Sequence, residues 1–312
     1  MHLLKGIAAI TFIAINTVVV WIPLAWWIIQ RPFTSGESRQ ALTKRMDKII
    51  WWWTANNRRM IKALNLVDVQ VDWHEEDTMS REHWYMVISN HQSWTDIVLL
   101  QSYLYGTIPP LKFFTKQQLI WVPGIGVAMH VLGFPYVKRA TRAQIKANPK
   151  LRTADRDNTM AACEGFKNHP TSILNFLEGT RRTDAKHESQ KSEYQHLLRP
   201  KIGGLDYVLE GMDGYLHRLL DVTIVYPDGV PTFWEFLQGR CPRVQMRVQP
   251  HVIPAELTDE NVKRRPFVAQ WVKELWVAKD RHLAEAMGAP QPSHAPTSAE
   301  ENSSARQQTT ES

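Results

Sequence analysis

His91 and Asp96 stand five positions apart in the stretch Asn90-His91-Gln92-Ser93-Trp94-Thr95-Asp96. Imidazole is the side chain best suited to take a proton near neutral pH, and a carboxylate on its second nitrogen fixes the tautomer. The pair therefore has the make-up of a general base and its orienting partner. Spacing alone is weak: in a chain with 12 His, about half an occurrence of His-x4-Asp is expected by chance. Position adds to it. The apolar run Trp84 to Ser89 reads as a strand and Ile97 to Tyr105 as a helix. The pair would then lie on a strand-to-helix turn, where α/β proteins usually place their chemistry. Ser93 offers a hydroxyl for a serine hydrolase, but no Gly-x-Ser-x-Gly elbow accompanies it.

A second constellation follows another strand. Ser172 to Leu177 is a buried-type apolar run, and Glu178-Gly179-Thr180-Arg181 comes directly after it. Glycine lets the backbone approach a ligand closely. A threonine hydroxyl, free backbone N–H groups and arginine are the donors that a phosphate needs. Phe134 to Arg139 reads as a further strand, and Arg139 would add a cation on the same edge. From Arg139 to Arg152 the chain is basic and free of acids, a patch suited to anionic headgroups or an anionic acyl donor.

The elements that would carry these turns alternate between strand and helix, so the expected fold is α/β, a mixed β-sheet flanked by helices. Val67 to Trp73 and Val244 to Val252 alternate as half-exposed strands, and Val222 to Tyr226 is an apolar strand. Lys116 to Leu132 has helical spacing broken by Pro123-Gly124 and Gly126. Thr153 to Asn168 reads as a helix capped by Thr153, Arg182 to Pro200 as irregular, and Ile202 to Leu205 as a helix start. Thr258 to Met287 reads as a long amphipathic helix. Residues 288–312, rich in Pro, Ser, Thr, Gln and Glu, read as a disordered tail.

Ahead of this domain lies Gly6 to Ile29, 24 uncharged and mostly apolar residues. As a helix it would span about 36 Å, against a hydrocarbon core of about 30 Å. It ends in Trp21, Trp26 and Trp27, an interfacial belt that marks a retained anchor rather than a cleaved signal. Asn16 and Pro23 leave room for a bend or for a re-entrant course. Most cations follow the segment, which places the remainder on the cytoplasmic side. Gln40 to Leu64 sets basic residues among Ile49, Ile50, Trp51, Trp52 and Trp53, as an interfacial helix does on one face. The expected organisation is an anchor at 1–36, an amphipathic interfacial helix at 37–64, a catalytic domain at 65–287 and the tail. The formal charge of +6 and pI near 9.3 suit an anionic partner. Nucleic acid would account for the charge but not for the anchor. Cys163 and Cys241 make no disulfide framework, and no Cys-x-x-Cys zinc pattern occurs.

Taken together, Asn-His-x-Ser-x-x-Asp, Gly-Phe-x-x-x-x-Arg (Gly133 to Arg139) and Phe-x-Glu-Gly-Thr-Arg (Phe176 to Arg181) resemble the first three blocks of the glycerolipid acyltransferases. These are the PlsC-like 1-acyl-sn-glycerol-3-phosphate acyltransferases. Lys116, Leu119, Pro123 and Gly126 are similar to the family's spacing between those blocks. Lys-Gln-Gln-Leu-Ile-Trp-Val-Pro, the insertion at 182–200 and Val-Tyr-Pro-Asp at 225–228 resemble the bacterial YihG-like subgroup, itself similar to lysocardiolipin acyltransferases. The resemblance implies transfer of an acyl group from acyl-CoA or acyl-carrier protein to the sn-2 hydroxyl of 1-acyl-glycerol-3-phosphate, giving phosphatidic acid. His91 would be the base and Asp96 its partner. Lys116, Arg139, Gly179, Thr180 and Arg181 would hold the phosphate, and Glu178 would shape that site through hydrogen bonds. It implies no cofactor beyond the acyl donor, no metal, a phospholipid bilayer and a lysophospholipid as partners, and the cytoplasmic face of a bacterial inner membrane. Two departures stand out: Leu177 replaces the family's usual proline, and Asp228 follows Pro227 where an apolar residue is usual. The alternatives are another lysophospholipid as acceptor, a serine lipid hydrolase, and a non-catalytic lipid-binding protein.

Overall fold

The structure, a computed structural model, describes residues 1–121, 125–137, 146–149, 151–257 and 263–288. Among the described residues the main sheet holds β1 (Asp68–Trp73), β2 (Trp84–Ser89), β3 (Leu111–Phe113), β6 (Ser172–Phe176), β7 (Leu216–Val225) and β8 (Arg243–His251). The short strands β4 (Thr115–Lys116) and β5 (Tyr136–Val137) pair separately. The strand order is β1-β8-β7-β2-β6-β3, with β7 and β8 antiparallel and every other neighbouring pair parallel. β2 is flanked on both sides and buried on both faces, which is why it reads as an unbroken apolar run. Tyr85 and Val87 enter one apolar cluster, Met86 and Ile88 the other.

Helices cover both faces. α2 (Gly36–Ala63) and α3 (Thr95–Tyr103) supply Met60, Ile61, Leu99 and Leu100 to the first cluster. α5 (Leu151–Phe166), α7 (Gly203–Gly211) and α9 (Arg264–Gly288) supply Phe166, Val208, Val272 and Trp276 to the second. The remaining helices are α1 (His2–Gln30), α4 (Ile125–Val131), α6 (Asp184–Gln190) and α8 (Phe233–Leu237). The mixed sheet flanked by helices is the expected fold class. Its consequence for function is that β7, β2 and β6 lie side by side and parallel, so their C-terminal ends open on one edge.

α1 runs unbroken through Pro23 and is long and apolar enough to cross a membrane. Leu4, Ile7, Ile15, Val18, Ile22 and Ile29 are exposed, as a helix in lipid requires. Its other face packs on α2 and α8. Asn16, which offered a bend in the sequence, is a polar clamp instead. Its amide donates to Trp53 O (3.1 Å) and Asn57 Oδ1 (3.0 Å) and accepts from Asn56 (3.2 Å).

Other local readings are corrected. Thr153 lies inside α5 and is not its cap. The stretch 182–200 contains α6, capped by Thr183, whose hydroxyl accepts from Lys186 N. Among the described residues of 116–132, Lys116 ends β4, Gln117–Trp121 form a 3₁₀ turn and Ile125–Val131 form α4. Both cysteines are buried, and burial pushes the thiols of Cys163 and Cys241 up to about 12 and about 11, so neither is reactive. Most of the basic stretch from Arg139, residues 139–145 and 150, and the tail from 289 lie outside the described residues.

One charged side chain crosses into the core. Lys279 of α9 donates to Val222 O (2.6 Å) and Thr223 Oγ1 (3.1 Å) and forms an ion pair with Asp221 Oδ1 at 2.6 Å. Burial holds its ammonium below the usual lysine range, against the attraction of Asp221. Lys279→Met is expected to leave Asp221 uncompensated and to cost about 3–5 kcal/mol, read as a lower midpoint in denaturant unfolding in detergent. Adding Asp221→Asn should restore part of that loss.

Candidate active site

β2 ends at Ser89, and the next residue locks the turn in place. The Asn90 side chain donates to Ile224 O (2.8 Å) and accepts from Ile224 N (2.9 Å), so an amide side chain extends the ladder toward β7. The chain then turns into α3, and Asp96 in the first turn of that helix reaches back. Its Oδ2 accepts from Gln92 N (2.6 Å), Ser93 N (2.9 Å) and His91 Nδ1 (2.8 Å). Its Oδ1 accepts from Tyr226 OH at 2.5 Å. The carboxylate is 1% exposed, and a helix N-terminus favours negative charge there.

An acceptor-only carboxylate requires the proton of the neutral ring to lie on Nδ1, which leaves a lone pair on Nε2. Nε2 has no hydrogen bond among the described residues, and the His91 side chain is 12% exposed. The ring stacks on Phe176, with centroids 4.0 Å apart and planes 17° from parallel. Two contacts, Asp96 of α3 and Phe176 of β6, therefore fix the imidazole. The arrangement can remove a proton from a group placed at Nε2.

Ser93 is not set up as a nucleophile. Its hydroxyl donates to Pro231 O at 2.7 Å and accepts from Thr95 N at 3.2 Å. Burial and the charge of Asp96 raise the Tyr226 phenol well above its usual range, so it remains a donor. Tyr226 was not singled out from sequence. The clue was its place at the end of a strand, ahead of Pro227. Asp228, the departure in that segment, forms a forked ion pair with Arg243 at 2.6 and 3.1 Å.

The second constellation sits at the end of β6, next to the first. Leu177 is buried in the second cluster, where the apolar side chain fills core space. Glu178 is also fully buried, with its carboxyl beneath the His91 backbone. Its Oε1 accepts from His91 N at 3.0 Å, and Arg182 N donates to His91 O at 2.7 Å. Burial raises Glu178 to about 8, against the backbone N–H groups of His91 and Leu198 that favour its ionised form.

Gly179 has φ +68°, a conformation that favours glycine. Thr180 Oγ1 accepts from Lys186 Nζ at 2.8 Å, and the guanidinium of exposed Arg181 lies 5.0 Å from the centre of the Trp94 ring. Structure thus brings His91, Asp96, Glu178, Gly179, Thr180 and Arg181 to one edge. Arg139 and the side chain of Lys116 lie outside the described residues; the backbone of Lys116 is in β4.

The sequence profile of the family described as Acyltransferase matches residues 70–227. The chain is 24% identical over 302 residues to 1-acyl-sn-glycerol-3-phosphate acyltransferase 3 of Arabidopsis thaliana, covering 88% of this chain and 72% of that one. It is 26% identical over 231 residues to the epsilon enzyme of that name from Mus musculus, covering 66% and 58%. Lysocardiolipin acyltransferase 1 of Gallus gallus is 24% identical over 212 residues, 64% and 52% of the two chains. The chain thus spans little more than half the length of these last two relatives. Among solved structures, the PlsC 1-acyl-sn-glycerophosphate acyltransferase of Thermotoga maritima shares the fold. Its TM-score is 0.54 at 18% identity, over 94% of this chain and all of that one.

Glu178 makes stability depend on pH. The folded protein holds its proton up to about 8, whereas an unfolded glutamate releases it near 4.3. Between those values the folded state binds more protons, so stability falls as pH rises. The expected loss from pH 5 to pH 9 is about 4 kcal/mol. Glu178→Gln, which keeps an acceptor for His91 N, should remove that slope in denaturant unfolding measured across the same range.

Proposed function

Because the chain belongs to the Acyltransferase family, we propose that it moves a fatty acyl group from acyl-CoA or acyl-carrier protein to the sn-2 hydroxyl of 1-acyl-glycerol-3-phosphate. The observation that carries this reading is the open Nε2 of a His91 ring clamped by Asp96, beside the donor-rich turn at Glu178–Arg181. The relatives named for this reaction and the fold shared with a PlsC enzyme support it. The Lys-Gln-Gln-Leu-Ile-Trp-Val-Pro stretch and the insertion at 182–200 support membership of the YihG-like subgroup.

Nε2 of His91 takes the proton of the acceptor hydroxyl as its oxygen attacks the thioester carbonyl. Asp96, itself held by Tyr226, stabilises the imidazolium that forms. The tetrahedral intermediate collapses with cleavage of the C–S bond, and the imidazolium returns the proton to the departing thiolate. A thioester is already activated, so positioning and a base suffice, and no acyl-enzyme is needed. Thr180 and Arg181, with Lys116 and Arg139, hold the phosphate that positions the hydroxyl. Residues 1–36 and 37–64 form an anchoring unit that brings the catalytic domain, residues 65–287, to its lipid on the cytoplasmic face of a bacterial inner membrane. Acylation of another lysophospholipid is the second reading, favoured by the similarity to lysocardiolipin acyltransferase 1.

The test is acceptor-dependent thioester cleavage by purified protein in mixed micelles. His91→Ala should lose at least about a thousandfold in kcat, the upper part of the range for general-base removal. Full activity in that variant would exclude the mechanism. Tyr226→Phe should lower kcat about tenfold or more with KM little changed, the worth of a hydrogen bond to a charged group.

A further inference from the structure

Gly179 carries no side chain, and the space where a Cβ would stand is taken by Lys201. From that point Lys201 Cδ is 3.0 Å away and its Nζ 3.3 Å. The backbone brings Lys201 there: its N–H donates to Leu177 O at 2.7 Å, closing a loop of more than twenty residues. A second lysine reaches the same turn from α6. Lys186 Nζ donates to Thr180 Oγ1 and to Arg181 O, both at 2.8 Å. An ammonium has three donors, so one of its N–H groups is uncommitted.

The charges at this turn do not cancel. Arg182 is answered by Asp184 at 2.9 Å. Arg181, Lys186 and Lys201 have no ion pair among the described residues, and Arg181 rests on the Trp94 ring face. Glu178, the acid within the turn, is pushed up to about 8 by burial and carries little charge at neutral pH. α7 begins two residues after Lys201, with Gly204 against Asn175 of β6.

Three uncompensated cations around one glycine turn are more than a singly charged ligand requires. We propose that Lys186 and Lys201 complete the acceptor site with Thr180 and Arg181 and select a phosphomonoester over a phosphodiester headgroup. A monoester brings close to two negative charges and three free oxygens, a diester one charge and two oxygens. This rests on the acyl-transfer reading of the same site and names the acceptor class within it.

The test compares wild type, Lys201→Gln, Lys186→Gln and Lys201→Arg on two acceptors with the same acyl chain, lysophosphatidate and lysophosphatidylglycerol. Binding is read by titration calorimetry in detergent, KM and kcat by turnover, and folding by thermal melting. Wild type should bind the monoester at least about tenfold more tightly than the diester. Each Gln variant should lose about tenfold for the monoester, the worth of a charge-assisted contact, and less than about threefold for the diester. KM should follow binding, kcat should stay within about twofold, and Lys201→Arg should recover most of the loss. Equal losses for both acceptors, or unchanged monoester binding, would overturn the proposal. Wild type that binds the monoester selectively but turns over neither lipid would instead overturn the acyl-transfer reading, because binding alone decides the role of the lysines.

Discussion

The carboxylate of Asp96 is the constraint on which the candidate site depends. One buried group accepts from two backbone amides of its own turn, from the imidazole and from a phenol just past the end of β7. The backbone bonds hold the turn that presents His91. The imidazole bond fixes the tautomer, and the Tyr226 bond anchors the assembly to the neighbouring strand. Because the acid is almost completely buried, losing the Tyr226 hydroxyl would leave Oδ1 desolvated and unpaired, which costs more than the bond itself contributes.

Behind this group lies a second tier of buried polar side chains. Glu178 holds His91 by its backbone from the β6 side, and Asn90 holds the same turn to β7. Lys279 ties α9 to β7 at Val222, the residue paired with Ser89 at the end of β2. A buried carboxyl and a buried ammonium near one turn are costly separately, and burial pushes each toward its neutral form. Their arrangement explains how a loop on a sheet edge stays rigid enough to aim one nitrogen.

Much of this was legible in the chain. β2 was bounded correctly from Trp84 to Ser89, because a strand buried on both faces leaves a continuous apolar run. His91 and Asp96 were singled out from residue type and their place after that strand, and the structure brings them to 2.8 Å. Local rules failed where long-range contacts took over. Asn16 and Pro23 read as a site of bending, yet α1 is continuous because α2 satisfies the asparagine. The 182–200 insertion read as irregular because it is polar, yet a cap on Thr183 suffices for a short helix that delivers Lys186.

By itself, the sequence determined which residues could do chemistry, the alternation of strands and helices, and the apolar N-terminal segment. These follow from side-chain chemistry and from periodicity along the chain, both local properties. Only the tertiary structure decided which strand ends meet. It set Tyr226 on Asp96, turned Glu178 inward beneath His91, and drew Lys186 and Lys201 onto the turn at Gly179. Those pairings depend on strand order and on loop closures of many residues. No short-range pattern encodes them, because their free energy comes from burying groups that are distant in sequence.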